Sequence, residues 1–121
     1  MSNKAKAAGT DAENKVRDYA KSRGWKYAEL LRQGGALDKG DVRLGDGVDF
    51  VIEVKGGQGA LSAPHQHLRE MQQEVLNAKA RYGAVIAKKP GSAKVGQDWV
   101  AMMPVDMLFD IIDALYEGWL V

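Results

Sequence analysis

The chain has 121 residues, the length of one domain, and 45% of them are hydrophobic, enough for a core without covalent staples. It has no cysteine, which excludes disulfides and thiolate zinc sites. No apolar run reaches the length of a signal peptide or of a membrane span, so the expectation is a soluble, cytoplasmic protein.

The net charge of +1 conceals an asymmetry. All 17 Lys and Arg lie at or before Lys94 together with 11 of the 16 acids, so residues 1–94 carry +6. Asp98, Asp106, Asp110, Asp113 and Glu117 leave the remainder at −5. A basic body with an acidic end suits a phosphate surface on one side. An asymmetry of solvated side chains reads equally well.

Residues 1–9 are small and polar and read as a flexible N-terminal arm, with a single domain over 10–121. Thr10-Asp11-Ala12-Glu13 matches a capping box, and Ala12, Val16, Tyr19 and Ala20 recur at helical spacing. With Gly24 as a stop, the first helix is expected over 11–23. Residues 25–32 read as a strand, 33–36 as a loop and 41–44 as a short strand. Gly45-Asp46-Gly47 signals a hairpin turn into an apolar strand over 50–54, broken only by Glu53.

Pro64 opens a second helix expected over 63–81, with Leu68, Met71, Val75, Ala78 and Tyr82 on one face and Gly83 as its stop. Residues 84–87 form a strand, 88–94 a basic loop and 99–103 the last strand. From Asp106 a helix carries Leu108, Ile112, Leu115 and Trp119, with Phe109, Ile111 and Tyr116 widening the stripe. The order predicts an α/β fold, a mixed sheet of about five strands flanked by helices.

Asp41, Glu53 and Lys55 stand out. A buried strand rarely carries two charges at its end without a use for them. Neighbouring strands lie about 4.8 Å apart, so Asp41 and Glu53 on hairpin partners can converge on one ion. Mg²⁺, or Mn²⁺ in its place, takes oxygen ligands and needs only one or two carboxylates. The backbone carbonyl of Val54 offers a further ligand. Lys55 leaves the same strand face as Glu53 and can orient a water or stabilise charge on phosphorus. Such a set suits phosphodiester hydrolysis.

Gly40-Asp41, a turn and Glu53-Val54-Lys55 resemble the Pro-Asp…(Asp/Glu)-x-Lys signature of the restriction-endonuclease-like nucleases. With Glu13 on the preceding helix, Arg32 beside a glycine-rich loop and the short chain, the sequence is similar to the small Holliday-junction resolvases of that superfamily. The resemblance implies that Asp41 and Glu53 ligate metal and that Lys55 is the catalytic lysine. Glu13 would complete the acidic cluster, and Arg32 would hold a phosphate. It also implies a glutamine on the second helix, for which Gln72 is preferred over Gln73. The motif's proline is Gly40 here, and the serine some relatives carry before the acid is absent.

Plainer roles exist beside these. Glu13 reads as a capping carboxylate or an i,i+4 partner of Arg17, Glu53–Lys55 as a strand-end ion pair, and Asp41 as a turn residue. His65 and His67 show no metal spacing. Lys39, Lys88, Lys89 and Lys94 read as solvated lysines or as contacts to DNA phosphates.

The expectation is a Mg²⁺-dependent endonuclease for four-way DNA junctions, a homodimer that makes paired cuts, with no small-molecule cofactor beyond the metal. The alternatives are a related nuclease for flaps, single strands or damaged duplex, and a non-catalytic DNA-binding module of the same fold.

Overall fold

The computed structural model describes residues 3–31, 38–57 and 59–119, with side chains from residue 9 onward. Its elements are α1 (Asn3–Ser22), β1 (Glu29–Leu30), β2 (Val42–Arg43), β3 (Phe50–Lys55), α2 (Pro64–Ala78), β4 (Tyr82–Ala87), a short α3 (Val95–Asp98), β5 (Val100–Met102) and α4 (Val105–Leu115). A single 3-10 turn, Glu117–Trp119, follows α4. No described helix is long and apolar enough to cross a membrane.

The sheet is five-stranded and mixed, in the order β1-β2-β3-β4-β5. β1, β2 and β3 pair antiparallel, β3 and β4 pair parallel, and β4 and β5 pair antiparallel. The parallel pair requires a crossover, and α2 supplies it. This is the expected α/β class.

The alternation of β3 divides the molecule. Ile52 and Val54, with Phe50 packed alongside, join Ala12 and Val16 of α1 in one apolar cluster, together with Val42 and Trp99. Val51 joins Met71 and Val75 of α2 and Val85 of β4 in the other. Each face of the sheet therefore has its own helix. Glu53 and Lys55 share the parity of Val51 and so leave β3 toward α2.

Several element boundaries differ from the sequence reading. α1 begins at Asn3, so Thr10 and Glu13 lie inside the helix and not at its expected start. Ala5, Lys6, Ala7 and Ala8 are strong helix formers and carry the helix upstream through the expected arm. β1 is two residues long because Gly24, at φ +103°, turns the chain and the bonds Lys26 N–H to Gly24 O and Ala28 N–H to Trp25 O follow. Trp25 and Tyr27 are left exposed.

α2 stops at Lys79, whose φ of 53° is left-handed, and Ala80 N–H bonds back to Val75 O. Gly83, expected as the stop, is a residue of β4. A Cβ there would meet Met71 Sδ at 2.6 Å and Val75 Cγ2 at 2.7 Å, so its bareness lets α2 sit close on the sheet. α3, in the expected basic loop, went unpredicted.

Gly83→Ala should therefore cost about 1–3 kcal/mol by overpacking the α2 face. Urea denaturation reads this as a lower midpoint, and an unchanged midpoint would refute the close approach.

Candidate metal and phosphoryl-transfer site

β2 is short, yet its edge is held well past its own two residues. Val42 pairs with Ile52, and Asp41 N–H bonds Ile52 O at 2.9 Å. Beyond that point Asp41 leaves its backbone role to its side chain, whose Oδ2 accepts Val54 N–H at 2.8 Å. One carboxylate thus both closes the ladder and stands beside Glu53.

Three acids are buried here: Asp41 and Glu53, each 5% exposed, and Glu74, 3% exposed. Burial of acids is rare unless they are paired or coordinate a cation. Asp38, Glu53 and Glu74 each offer an oxygen, all within 4.8 Å of one another. Glu53 Oε1 and Glu74 Oε2 are buried without an N–H or hydroxyl partner among the described residues. The turn carrying Asp38 is fixed twice over. Asp38 Oδ1 accepts Gly40 N–H at 2.9 Å, and the Asp38 carbonyl accepts from Asn77 Nδ2 of α2 at 2.8 Å. Gly40 makes this turn at φ +102°, where a Cβ would sit 2.8 Å from Val51 Cγ1.

Lys55 Nζ lies 3.6 Å from Glu53 Oε2 and 3.0 Å from Glu70 Oε2. Burial alone would lower its pKa, but the bond to Glu70 and the charges of Glu53, Glu70 and Asp41 raise it, so the ammonium persists. Glu53 is pushed far up by burial first, then by Asp41 and Glu74. Glu74 rises to about 7, chiefly by burial, helped by the charges of Asp38 and Asp41 and opposed by Glu53 and Lys55. Burial and its acid neighbours thus favour the neutral form of Glu53 when no cation is bound.

The residues expected at the site fare differently. Asp41, Glu53 and Lys55 come together. Glu13 reaches the same region from the α1 side. Burial raises its pKa first, and the charge of Asp41 raises it further. The Val54 side chain lies in the α1-side core, and its N–H is engaged by Asp41. Arg32 lies outside the described residues. Lys88 follows β4 at the same end of the sheet, its N–H bonded to Lys55 O at 2.9 Å. Lys39, Lys89 and Lys94 are exposed. Lys94 sits with Lys15 and Tyr19 along a groove of about 600 Å³ between α1 and α3.

Gln72 is exposed, and Gln73 is exposed and bonds Asn77. The helix residue that reaches the carboxylates is Glu74, which the sequence reading missed. Its signal was present: Met71, Glu74, Val75 and Ala78 follow the i, i+3, i+4, i+7 spacing of the buried stripe. Glu74 is thus an acid at a core position, while Gln72 lies a further 100° around from Met71. Asp38, in the turn before β2, is the other acid of the cluster that the sequence analysis did not single out.

No protein family, curated protein or solved structure matches the chain. The site therefore rests on its own chemistry. Hard divalent cations bind oxygen, and the orphaned carboxylate oxygens fit such an ion. It would relieve the repulsion that otherwise holds protons on the cluster.

The acids set a pH dependence. Glu74 binds its proton more tightly folded, at about 7, than unfolded, at 4.5, so the folded state holds more protons between those values. Stability of the chelator-treated protein should fall as pH rises through that window, by at most about 1.4 kcal/mol per pH unit for one group. Glu74→Gln should flatten the fall, and thermal melts from pH 4.5 to 8 would show it. A melting temperature that rises across this window would contradict the assignment.

Proposed function

We propose that the chain is a divalent-metal-dependent DNA endonuclease. The observation that carries the reading is the buried Glu53, with Asp41 and Glu74 against it, an Oε1 that meets no N–H or hydroxyl donor among the described residues, and Lys55 Nζ at 3.6 Å from its other oxygen. Asp41 and Glu53, with the Val54 carbonyl and Glu13 as further contacts, are the residues that would hold Mg²⁺ or Mn²⁺. When bound, such an ion supplies Lewis acidity toward a phosphate oxygen and lowers the pKa of a bound water.

The chain's own residues do the rest. Lys55, steadied by Glu70, presents an ammonium where negative charge develops on phosphorus. Asp41 keeps one oxygen on Val54 N–H, so its orientation is set before any ligand arrives. Lys88 lies at the same end of the sheet and would meet the DNA backbone, with Lys39, Lys89, Lys94 and Arg32 as additional phosphate contacts.

The finer reading is a junction resolvase acting as a homodimer. It is supported by the resemblance of the motif and by α4. Val105, Leu108, Phe109, Ile112, Leu115, Tyr116 and Trp119 form an exposed apolar stripe, with Leu115 72% and Trp119 80% exposed. Asp106, Asp110, Asp113 and Glu117 lie off that stripe, so two copies can pair along it without opposing like charges. Such a pair is isologous, as two-fold-related cuts require.

Asp41→Asn should lower Mg²⁺-dependent cleavage of a labelled four-way junction at least ~100-fold, since even residues that only support a metal ligand cost 10–100-fold. It should leave junction binding in place, because Asn still offers an oxygen to Val54 N–H. Cleavage retained in this variant refutes the ligand role. Equal cutting of flap, duplex and junction by the parent protein points to a general nuclease, and binding without cutting in any metal points to a binding module. In sedimentation, Leu115→Glu should convert a dimer to a monomer, and a parent chain that stays monomeric at every concentration refutes the α4 pairing.

A further inference from the structure

The position at Asp41 and Glu53 leaves two buried oxygens on the α2 side, Glu53 Oε1 and Glu74 Oε2, that no N–H or hydroxyl of the described residues reaches. We propose that Asp38, Glu53 and Glu74 form a second divalent-cation position, with Glu53 bridging the two. The inference extends the metal reading above through the shared Glu53, but its readout is ion binding.

The three side chains arrive from separate elements: the turn before β2, the end of β3, and the middle of α2. Each brings an oxygen within 4.8 Å of the others. Proximity of acids alone means little. The independent observation is that Glu53 Oε1 and Glu74 Oε2, on residues 5% and 3% exposed, meet no N–H or hydroxyl donor among the described residues. A buried carboxylate oxygen left unpaired is costly, and natural folds rarely tolerate two in one place.

The division of Glu53 is suggestive chemistry. Its Oε2 faces Lys55 at 3.6 Å, while Oε1 is the orphan. Oε2 can serve the lysine and the position beside Asp41, while Oε1 serves the second cation. Asp38 is likewise divided: Oδ1 holds Gly40 N–H, and its backbone carbonyl is tied to Asn77. The turn is therefore fixed over α2 before an ion binds. Gly40 lets that turn lie close on β3, for a Cβ there would meet Val51 Cγ1 at 2.8 Å.

The donor set selects the ion class. Three carboxylate oxygens with no imidazole or thiolate favour hard cations. Two oxygens on opposite sides of an ion stand twice the metal–oxygen distance apart, about 4.2 Å for Mg²⁺ and about 4.6–5.2 Å for Ca²⁺. A spread of up to 4.8 Å admits Ca²⁺ as it stands, and Mg²⁺ or Mn²⁺ after a contraction of a few tenths of an ångström.

Mn²⁺ is the probe. Metal-stripped full-length protein is titrated with Mn²⁺, and free ion is counted by electron paramagnetic resonance. Two ions should bind per parent chain, and Glu74→Gln and Asp38→Asn should each weaken one of them by at least ~10-fold. If Glu74→Gln does not fold by circular dichroism, Asp38→Asn on the exposed turn decides. One ion per parent chain, or two bound undiminished by the folded variants, overturns the proposal. The two readings fail separately. Two bound ions with no DNA cleavage defeat only the nuclease assignment, whereas cleavage with a single bound ion defeats only the second position.

Discussion

The structure turns on the burial of Glu53 among other acids at the end of β3. An unpaired charge in a protein interior costs several kcal/mol, and here three buried acids meet. What holds them is ordinary packing. Met71 and Val75 flank Glu74 along α2 and bury against Val51 and Val85. Each such apolar side chain contributes about 1.5–3 kcal/mol, so the helix carries enough adhesion to keep its carboxylate pressed to the sheet. The ladder between β2 and β3 ends on a side chain for the same reason. Asp41 cannot turn away from Glu53 without leaving Val54 N–H unpaired.

The two sides of the sheet contribute unequally. The α1 side is an apolar cluster that fixes β2 and β3 in register, and Glu13 approaches from it. The α2 side is apolar at one end and ionic at the other, where Lys55, Glu70 and Glu74 meet. One face thus sets position and the other supplies charge. Lys55 links them, because its backbone continues the strand that the apolar face anchors.

The central strand and its two charges were legible in the sequence because a continuous apolar run interrupted by Glu53 has few other meanings. The fold class followed from the order of such runs. Helix ends were less legible. Thr10 and Glu13 have the spacing of a cap, but the alanine-rich segment before them propagates the helix and overrides the local signal. Gly83 read as a stop because glycine commonly ends helices, yet its use is steric, a matter of what lies above the strand. Trp25 and Tyr27 have strand propensity, but the turn after Gly24 leaves them outside the ladder. Glu74 escaped notice because an acid in a buried stripe looks like an error in the pattern until the strand beneath it is known to end in acids too.

Gly40 closes the account of the site. Its φ of +102° lies far from the angle near −65° that a pyrrolidine ring imposes. A proline before Asp41 is therefore incompatible with this backbone. Replacing Gly40 by proline would rotate the peptide that carries Asp41 and release the turn bearing Asp38 from α2. A chain that has adopted this loop can drift at the residues around it, but it reaches the proline version only by rebuilding the whole turn at once.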